Sequence, residues 1–86
     1  MATYRVTTTT AAARALFMIK RRDRDRVTAA IRGLGTDPRP AGCFALQGRT
    51  GYRIRVGNYR VIHLVDDDEH VIEVRKVGHR RDVYER

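Results

Sequence analysis

The stretch YRIRVGNYRVI, residues 52–62, decides the fold, because it has both the period and the turn of a β-hairpin. Apolar and arginine side chains alternate on both sides of Gly57 and Asn58, and a period of two is typical of strands. Gly-Asn between two such runs is a strong signal for a two-residue turn. The sequence therefore predicts antiparallel strands over 52–56 and 59–65.

The two-residue loop also fixes which residues of the hairpin share a face, since directly opposite residues point the same way. One face is apolar and is expected to form part of the core: Ile54, Val56, Tyr59 and Val61. The other face is basic and pairs Arg55 with Arg60, next to Arg53. Tyr52 and Tyr59 are expected to pack rather than to stack on a ligand.

An acidic turn at 66–69 follows the hairpin, and a further strand is predicted over 70–77. We expect this turn to be solvated and to discourage edge pairing with other chains. Pairing its first and last residues would place Arg60 opposite Arg75. The sequence thus predicts four arginines on one face: Arg53, Arg55, Arg60 and Arg75.

Upstream of the hairpin, the sequence predicts a short strand over 4–7 and two amphipathic helices, over 9–21 and from Asp23 to 34. Gly35 is expected to end the second helix, and a weak strand is predicted over 43–46. The expected order is β-α-α-β-β-β. This is an α+β fold in which an antiparallel sheet carries the N-terminal helix hairpin on one face.

Composition limits the class of protein. The chain has 86 residues, expected to form one domain over 1–86, and a net charge of +8, which favours a polyanion or an acidic protein as partner. Its single cysteine, Cys43, is expected to be a part-buried apolar residue. Neither a membrane span nor a signal peptide is predicted, so we expect a cytoplasmic protein with no membrane partner.

The arginine face indicates a site for phosphate, because guanidinium groups bind phosphate through two parallel hydrogen bonds. A solvated basic face is the alternative. The closing stretch 78–84 adds further basic and aromatic side chains: His79, Arg80, Arg81 and Tyr84. His63 and His70 are expected to be structural, on or beside the core face. The histidines lack metal-ligand spacing, and neither a metal nor another cofactor is predicted.

The hairpin 52–62, the acidic turn and the closing motif 77–84, VGHRRDVY, together resemble RelE-family toxins of bacterial toxin–antitoxin pairs. The resemblance covers almost the whole chain, and it implies a RelE-like fold and a ribosome-dependent mRNA endonuclease that inhibits translation. Such toxins cut the codon in the ribosomal A site by attack of the 2′-hydroxyl on the adjacent phosphate. The implied partners are the ribosome with A-site mRNA and a small, acidic, helical antitoxin.

By motif position, the resemblance assigns the catalytic residues Arg53, Arg55, Arg60, Arg80 and Tyr84. Arg75, by the predicted register, and His79 and Arg81, from the closing stretch, are expected to bind RNA. Arg55 and Arg60 are expected to stabilise the charge of the phosphorane, Arg80 that of the leaving oxygen, and Tyr84 to stack on a base.

The chain departs from the family in having arginine where lysine is common before the hairpin turn. Arginine hardly ever loses its proton, so a general-base role for Arg53 or Arg55 is not expected. His79 is a candidate base, because histidine exchanges protons near neutral pH, and the alternative is a turn residue held by backbone hydrogen bonds.

Two other functions remain open from the sequence. One is a ParE-type toxin that acts on DNA gyrase through the same fold and cuts no RNA. The other is a binding module without catalytic activity. The closing Arg80 and Tyr84 favour the nuclease, because ParE-type toxins typically lack this pair.

Overall fold

The computed structural model describes residues 3–83, in which helices and strands follow one another as in an α+β fold, and this confirms the predicted class. In chain order the elements are β1 (Arg5–Thr8), α1 (Thr10–Phe17), α2 (Arg21–Gly33), β2 (Phe44–Ala45), β3 (Tyr52–Val56), β4 (Tyr59–Asp66), β5 (Val71–His79) and α3 (Arg80–Val83). No helix within residues 3–83 has the length and apolar character needed to cross a bilayer.

The strands form one sheet in the order β1-β5-β4-β3-β2. Strands β2 to β5 pair antiparallel, whereas β1 pairs with β5 in parallel, with Val6 opposite Ile72. The expectation of a purely antiparallel sheet is therefore wrong at this edge. The helix pair carries the chain from the β1 edge to the β2 edge, so no hairpin sets the direction of β1 relative to its neighbour.

The helices differ from the prediction at their ends. Thr9 is the N-cap of α1, and its hydroxyl accepts a hydrogen bond from the backbone N–H of Ala12 at 3.1 Å. Helix α1 ends earlier than predicted, at Phe17, and α2 begins before Asp23, which lies in its first turn. The residues between the helices form the turn and bury Ile19. The weak strand predicted over 43–46 is present as β2, although it is shorter than predicted, whereas the helix α3 was not predicted.

The register of the β3–β4 hairpin is the predicted one, with Val56 opposite Tyr59 and Arg55 opposite Arg60. Gly57 has a φ of 60°, whereas Asn58 has no positive φ. A positive φ at the first central residue alone is the pattern of a type II′ turn, whose twist matches that of the paired strands.

The acidic turn is longer than predicted, and this overturns the predicted β4–β5 register. Asp66 opposes Val71, and its Oδ1 accepts the backbone N–H groups of Asp68 and Glu69 at 3.1 and 3.0 Å. These hydrogen bonds to the Asp66 carboxylate stabilise a turn of four residues in place of the predicted two, as aspartate side chains often do in turns. His70 ends this turn with a φ of 55° and is exposed, so it does not lie on the core face.

A β-bulge in β5 shifts the register once more. Ile62 opposes Lys76 while the next residue, His63, opposes Val74, so that Arg75 is the extra residue between them. Arg60 consequently lies opposite Gly78, and the predicted pair of Arg60 with Arg75 is wrong. A bulge reverses the alternation of faces along its strand, which hydrophobic patterning alone could not place.

The core lies between the helix pair and one face of the sheet, as predicted. Ile54 and Val61 are buried, and Val56 and Tyr59 pack against them while partly exposed. Cys43 is half-buried beside this cluster, and burial raises the pKa of its thiol. The other buried apolar residues of the cluster are Ala12, Ile19, Val27, Ile31, Leu34, Ile72, Val74 and Val77.

The acidic turn also binds the connector between α2 and β2, because Arg39 of this connector donates hydrogen bonds to it. Arg39 donates hydrogen bonds from Nη2 to Asp67 at 2.8 Å and from Nε to the Tyr52 hydroxyl at 2.9 Å. The Tyr4 hydroxyl donates to the same carboxylate at 2.6 Å. The hydrogen bond from Arg39 lowers the pKa of Asp67. The turn therefore does more than the predicted solvated loop, although these groups are exposed and each contact contributes little to stability.

His63 is the one charged or polar core residue on the helix side of the sheet among those described, and it is fully buried. Its Nε2 donates to the Pro38 carbonyl oxygen at 2.9 Å, because a carbonyl can only accept. Its Nδ1 is buried and has no hydrogen-bond partner within residues 3–83. Burial lowers the pKa of His63, since the charged ring would lose its hydration. The expected structural role of His63 is confirmed.

We expect acid to destabilise the fold through His63. Its folded-state pKa lies below the unfolded value of about 6.5, so the unfolded chain takes up the proton first. The free energy of unfolding should be constant above that pH and fall below it, down to the folded-state pKa. Urea unfolding between pH 5 and 8, at roughly half-unit steps, measures this. The variant His63→Gln should lose the dependence and His70→Gln should keep it.

The type II′ turn gives a second prediction. Replacing Gly57 by alanine should cost about 1–2 kcal/mol, since a side chain disfavours this φ, and an ideal Cβ there lies 3.1 Å from Arg26 Nη2. The matched control is Gly33→Ala in α2, where an added Cβ meets nothing within 4 Å. It should be neutral or stabilising by up to about 1 kcal/mol. Equal urea midpoints for both variants would contradict the assigned turn.

Candidate nucleic-acid interface

The sheet face that points away from the helices carries the predicted arginines. Arg53, Arg55 and Arg60 alternate along β3 and β4 with the core residues, and Ile62 is buried on this same face outside the main core cluster. We call this the open face. Its members towards the β3–β4 turn are Phe44, Arg53, Arg55, Arg60, Ile62, Lys76 and Gly78.

Arg60 is held at the hairpin turn. Its side chain is only 8% exposed, and Nη1 donates to the carbonyl oxygens of Gly57 and Tyr59 at 3.1 and 2.9 Å. Its Nε is buried and has no hydrogen-bond partner in the described part of the chain. On one side Arg60 faces the exposed Arg55, and on the other it faces Gly78, which has no side chain. The guanidinium is therefore fixed by backbone groups, with a second cation beside it.

Phe44 belongs to this interface, although sequence analysis did not single it out. It opposes Arg53, and the guanidinium carbons of Arg53 and Arg55 lie 5.2 and 5.9 Å from the centre of its ring. These distances are within the range of cation–π contacts, which orient both guanidinium groups. Phe44 was missed because the loop of 46–51 between β2 and β3 is longer than a two-residue turn, so the sequence does not fix the β2–β3 register.

Lys76 also joins the open face, and the bulge explains why it was missed. Lys76 lies opposite Ile62, where a ladder without the bulge would place Arg75. Lys76, Arg75 and Arg49 line a depression of about 370 Å³ beside Ile62 and Leu64. The predicted RNA-binding residue Arg75 thus lies near this face. It is separated from Arg60 along β5, because Gly78, and not Arg75, lies opposite Arg60.

Within residues 3–83, three cations of the open face, Arg55, Arg60 and Lys76, have no carboxylate within ion-pair distance. The carboxylate of Glu73 lies 3.6 Å from Arg75, so it does not compensate Arg60. Directly opposed like charges destabilise a sheet, so the hairpin end of the face is suited to binding an anion.

The closing segment approaches the same turn from β5. The backbone N–H of Arg80 donates to the Asn58 carbonyl oxygen at 2.8 Å, which anchors the start of α3 at the hairpin. The side chains of Arg80 and Arg81 are exposed. The structure therefore brings Arg80 to the turn that holds Arg60. Tyr84, predicted as the stacking residue, lies outside the described residues.

His79 lies on the other side of the sheet from the arginines. It opposes Tyr59 on the helix side, and the two rings meet edge to face with centres 5.8 Å apart. Its Nδ1 accepts the backbone N–H of Arg81 at 3.3 Å. The placement follows from the alternation of β5, since Val77 and His79 both face the helices. His79 is thus separated from the arginines that it was expected to serve as a base.

Comparison with known proteins gives a family and a set of similar folds. A family model described as ParE toxin of type II toxin–antitoxin system, parDE, matches residues 6–84. No match was found among curated proteins.

The chain is similar to solved toxin structures over nearly its whole length. In the toxin–antitoxin complex RelBE2 from Mycobacterium tuberculosis, the matching chain is 28% identical with a TM-score of 0.82, covering 95% of this chain and 97% of that one. In the archaeal RelE–RelB complex from Pyrococcus horikoshii, the matching chain is 28% identical with a TM-score of 0.79, and the match covers 94% of this chain and 99% of that one. Free Escherichia coli toxin RelE is 21% identical with a TM-score of 0.76, and the match covers 94% of this chain and 87% of that one. This last likeness concerns the fold alone.

If the open face binds a phosphate backbone, its affinity for a single-stranded RNA should depend steeply on salt. Each phosphate contact contributes about 0.7 to the slope of log K against log salt concentration. Arg55→Ala should weaken binding of a fluorescent polyuridylate and lower that slope by about one contact. Arg32→Ala, which removes an exposed charge at the far end of α2, is the control. Identical slopes for both variants would contradict the assignment.

Proposed function

Since the chain belongs to the ParE toxin family, and is thus a toxin of a type II toxin–antitoxin system, we propose that it is a ribosome-dependent mRNA endonuclease. Its substrate is the mRNA codon in the ribosomal A site. Its regulator is a small acidic antitoxin, as in the RelBE2 and archaeal RelE–RelB complexes, in which similar chains are bound to antitoxins.

The observation that carries this proposal is the pair of Arg55 and Arg60 beside the start of α3, which has no ion-pair partner among the described carboxylates. Strands β3 and β4 place the two side chains directly opposite one another, and the Asn58 carbonyl anchors Arg80 at the same turn. Three guanidinium-bearing residues are thus tied to one hairpin. This arrangement fits a phosphodiester, whose charge increases during cleavage.

In the proposed reaction, the 2′-hydroxyl of the A-site nucleotide attacks its own 3′-phosphate. The bond from O2′ to phosphorus forms, and the bond from phosphorus to the 5′-oxygen of the next nucleotide breaks. The products are a 2′,3′-cyclic phosphate and a free 5′-hydroxyl, and the proton of the attacking hydroxyl leaves to solvent as the leaving oxygen takes one up. No net oxidation or reduction occurs.

The residues of this chain supply charge and position. Arg55 and Arg60 stabilise the extra negative charge of the pentavalent phosphorus, and Arg53, oriented against Phe44, holds the backbone. Arg80 compensates the charge of the leaving oxygen. Because arginine keeps its proton, these groups act by electrostatic stabilisation rather than by proton abstraction. Tyr84 is assigned to stacking on an A-site base, and Arg75 and Arg81 to contacts with the RNA backbone.

A gyrase inhibitor is the second candidate, because the matching family model describes ParE toxins. The two functions require different partners, so they predict opposite results in two assays. The nuclease cuts mRNA on ribosomes and leaves supercoiling unaffected, whereas the gyrase inhibitor does the reverse.

The test is primer extension on a defined mRNA bound to ribosomes, with and without the purified toxin. Wild-type protein should produce cuts within A-site codons. Arg55→Ala, Arg60→Ala and Arg80→Ala should each lower the cleavage rate by about 10²–10³-fold, the usual effect of removing one donor to a transition-state oxyanion.

Arg32→Ala is the control for loss of charge, and the thermal unfolding midpoint of each variant excludes misfolding. Arg55 is the decisive position, since it is exposed and its replacement does not affect the core. Unchanged cleavage by Arg55→Ala would refute its role in the site. Intact mRNA together with inhibited supercoiling would refute the nuclease.

A further inference from the structure

Phe44 is an exposed aromatic residue at the edge of the open face. It lies in β2, an edge strand of the sheet, and it is 46% exposed. The guanidinium carbons of Arg53 and Arg55 lie 5.2 and 5.9 Å from the centre of its ring. Because nearly half of the residue is in contact with solvent beside these two groups, the ring keeps surface for a further planar group.

An open cavity lies next to Phe44, between the C-terminal end of α2 and the strands β2 and β3. It has a volume of about 420 Å³, and its walls include Ala30 and Gly33 of α2 and Phe44, Ile54 and Arg55 of the sheet. An added Cβ at Gly33 meets nothing within 4 Å, so the cavity is not filled from the side of the helix. The lining is therefore mostly apolar, and Arg55 is the one charged residue among its described members.

Arg55 connects this cavity to the arginine pair. It lines the cavity and also lies directly opposite Arg60 across β3 and β4. Neighbouring strands are about 4.8 Å apart, so Phe44 lies one strand away from Arg55 and two strands away from Arg60. A phosphate bound at Arg55 and Arg60 therefore has a neighbouring base of the same RNA strand within reach of Phe44.

We propose that Phe44 and this cavity form a nucleobase subsite, in which a base next to the bound phosphate stacks on the Phe44 ring. Bases of single-stranded RNA bind to proteins by stacking on aromatic rings and on guanidinium planes. The subsite accepts any base, since every base has a π-face. This inference rests on the RNA binding of the proposed function, and the contact is separate from the stacking assigned to Tyr84.

Charge and apolar character together favour a base of RNA over other occupants. A carboxylate of a protein partner would pair with Arg55 but would gain nothing from Phe44, and an apolar side chain would leave Arg55 without an anion. A nucleotide uses both groups, because its base covers the ring while its phosphate binds the guanidinium. The subsite is also continuous with the proposed phosphate site, since Arg55 belongs to both.

The test is fluorescence anisotropy of the full chain with two labelled oligomers of equal length, an oligouridylate and an abasic ribose phosphate. Both carry 2′-O-methyl groups, which remove the attacking hydroxyl, so binding is measured without cleavage. Phosphate contacts are common to the two probes. The ratio of their dissociation constants, abasic over uridylate, therefore measures the contacts made by the bases.

Phe44→Leu keeps an apolar side chain but removes the π-face, and it should lower this ratio about tenfold, a typical effect of losing one base–aromatic stack. Phe44→Trp should keep the ratio or raise it. Gly33→Leu, which adds a side chain at the wall of the cavity, should lower it. Phe17→Leu, at a phenylalanine of α1 that is 75% exposed, is the matched control and should bind both probes as wild type does.

Two outcomes would overturn the subsite alone, provided that the thermal melt shows Phe44→Leu to be folded. Equal weakening of both probes would mean that the ring only orients Arg53 and Arg55. Unchanged binding of both would mean that Phe44 does not contact RNA. A wild-type chain that binds neither probe would overturn the RNA interface together with the subsite. A ratio that depends on Phe44, in a chain that cuts no mRNA on ribosomes, would refute the nuclease and support the subsite.

Discussion

The two-residue turn at Gly57 and Asn58 is the constraint on which the rest of the structure depends. A tight turn leaves one register for β3 and β4, and in that register Ile54, Val56, Tyr59 and Val61 face the helices. The same register places Arg55 opposite Arg60 on the other face. The core and the basic site are thus two consequences of one turn, and a slip by one residue would exchange them.

A second turn determines how far the basic face extends. Asp66 binds the backbone of the acidic turn with its carboxylate, so β5 enters the sheet later than a tight turn would allow. The bulge at Arg75 then exchanges the faces of the residues that follow it. Lys76 and Gly78 come to lie beside Ile62 and Arg60, while His79 turns toward the core. The site is therefore an arginine cluster flanked by a lysine and an aromatic ring, with its histidine on the other side of the sheet.

The basic end of the open face is costly for the free chain. Arg55 and Arg60 oppose each other there without a carboxylate among the described residues. This arrangement does not stabilise the monomer, and it becomes favourable with a partner of opposite charge. We propose that this partner is the phosphate backbone of RNA. A partner that binds only the folded chain also stabilises it by mass action.

The sequence by itself determined whatever is set by neighbours along the chain. Alternation and the Gly57-Asn58 turn predicted the hairpin register, the core face and the grouping of Arg53, Arg55 and Arg60, because each depends on a period or on a short loop. Only the tertiary structure decided the parallel pairing of β1 with β5, the bulge at Arg75, the position of Phe44 and the separation of His79 from the arginines. These features join segments that are distant in the chain, and packing and long-range hydrogen bonds select them from several registers that the local pattern permits equally.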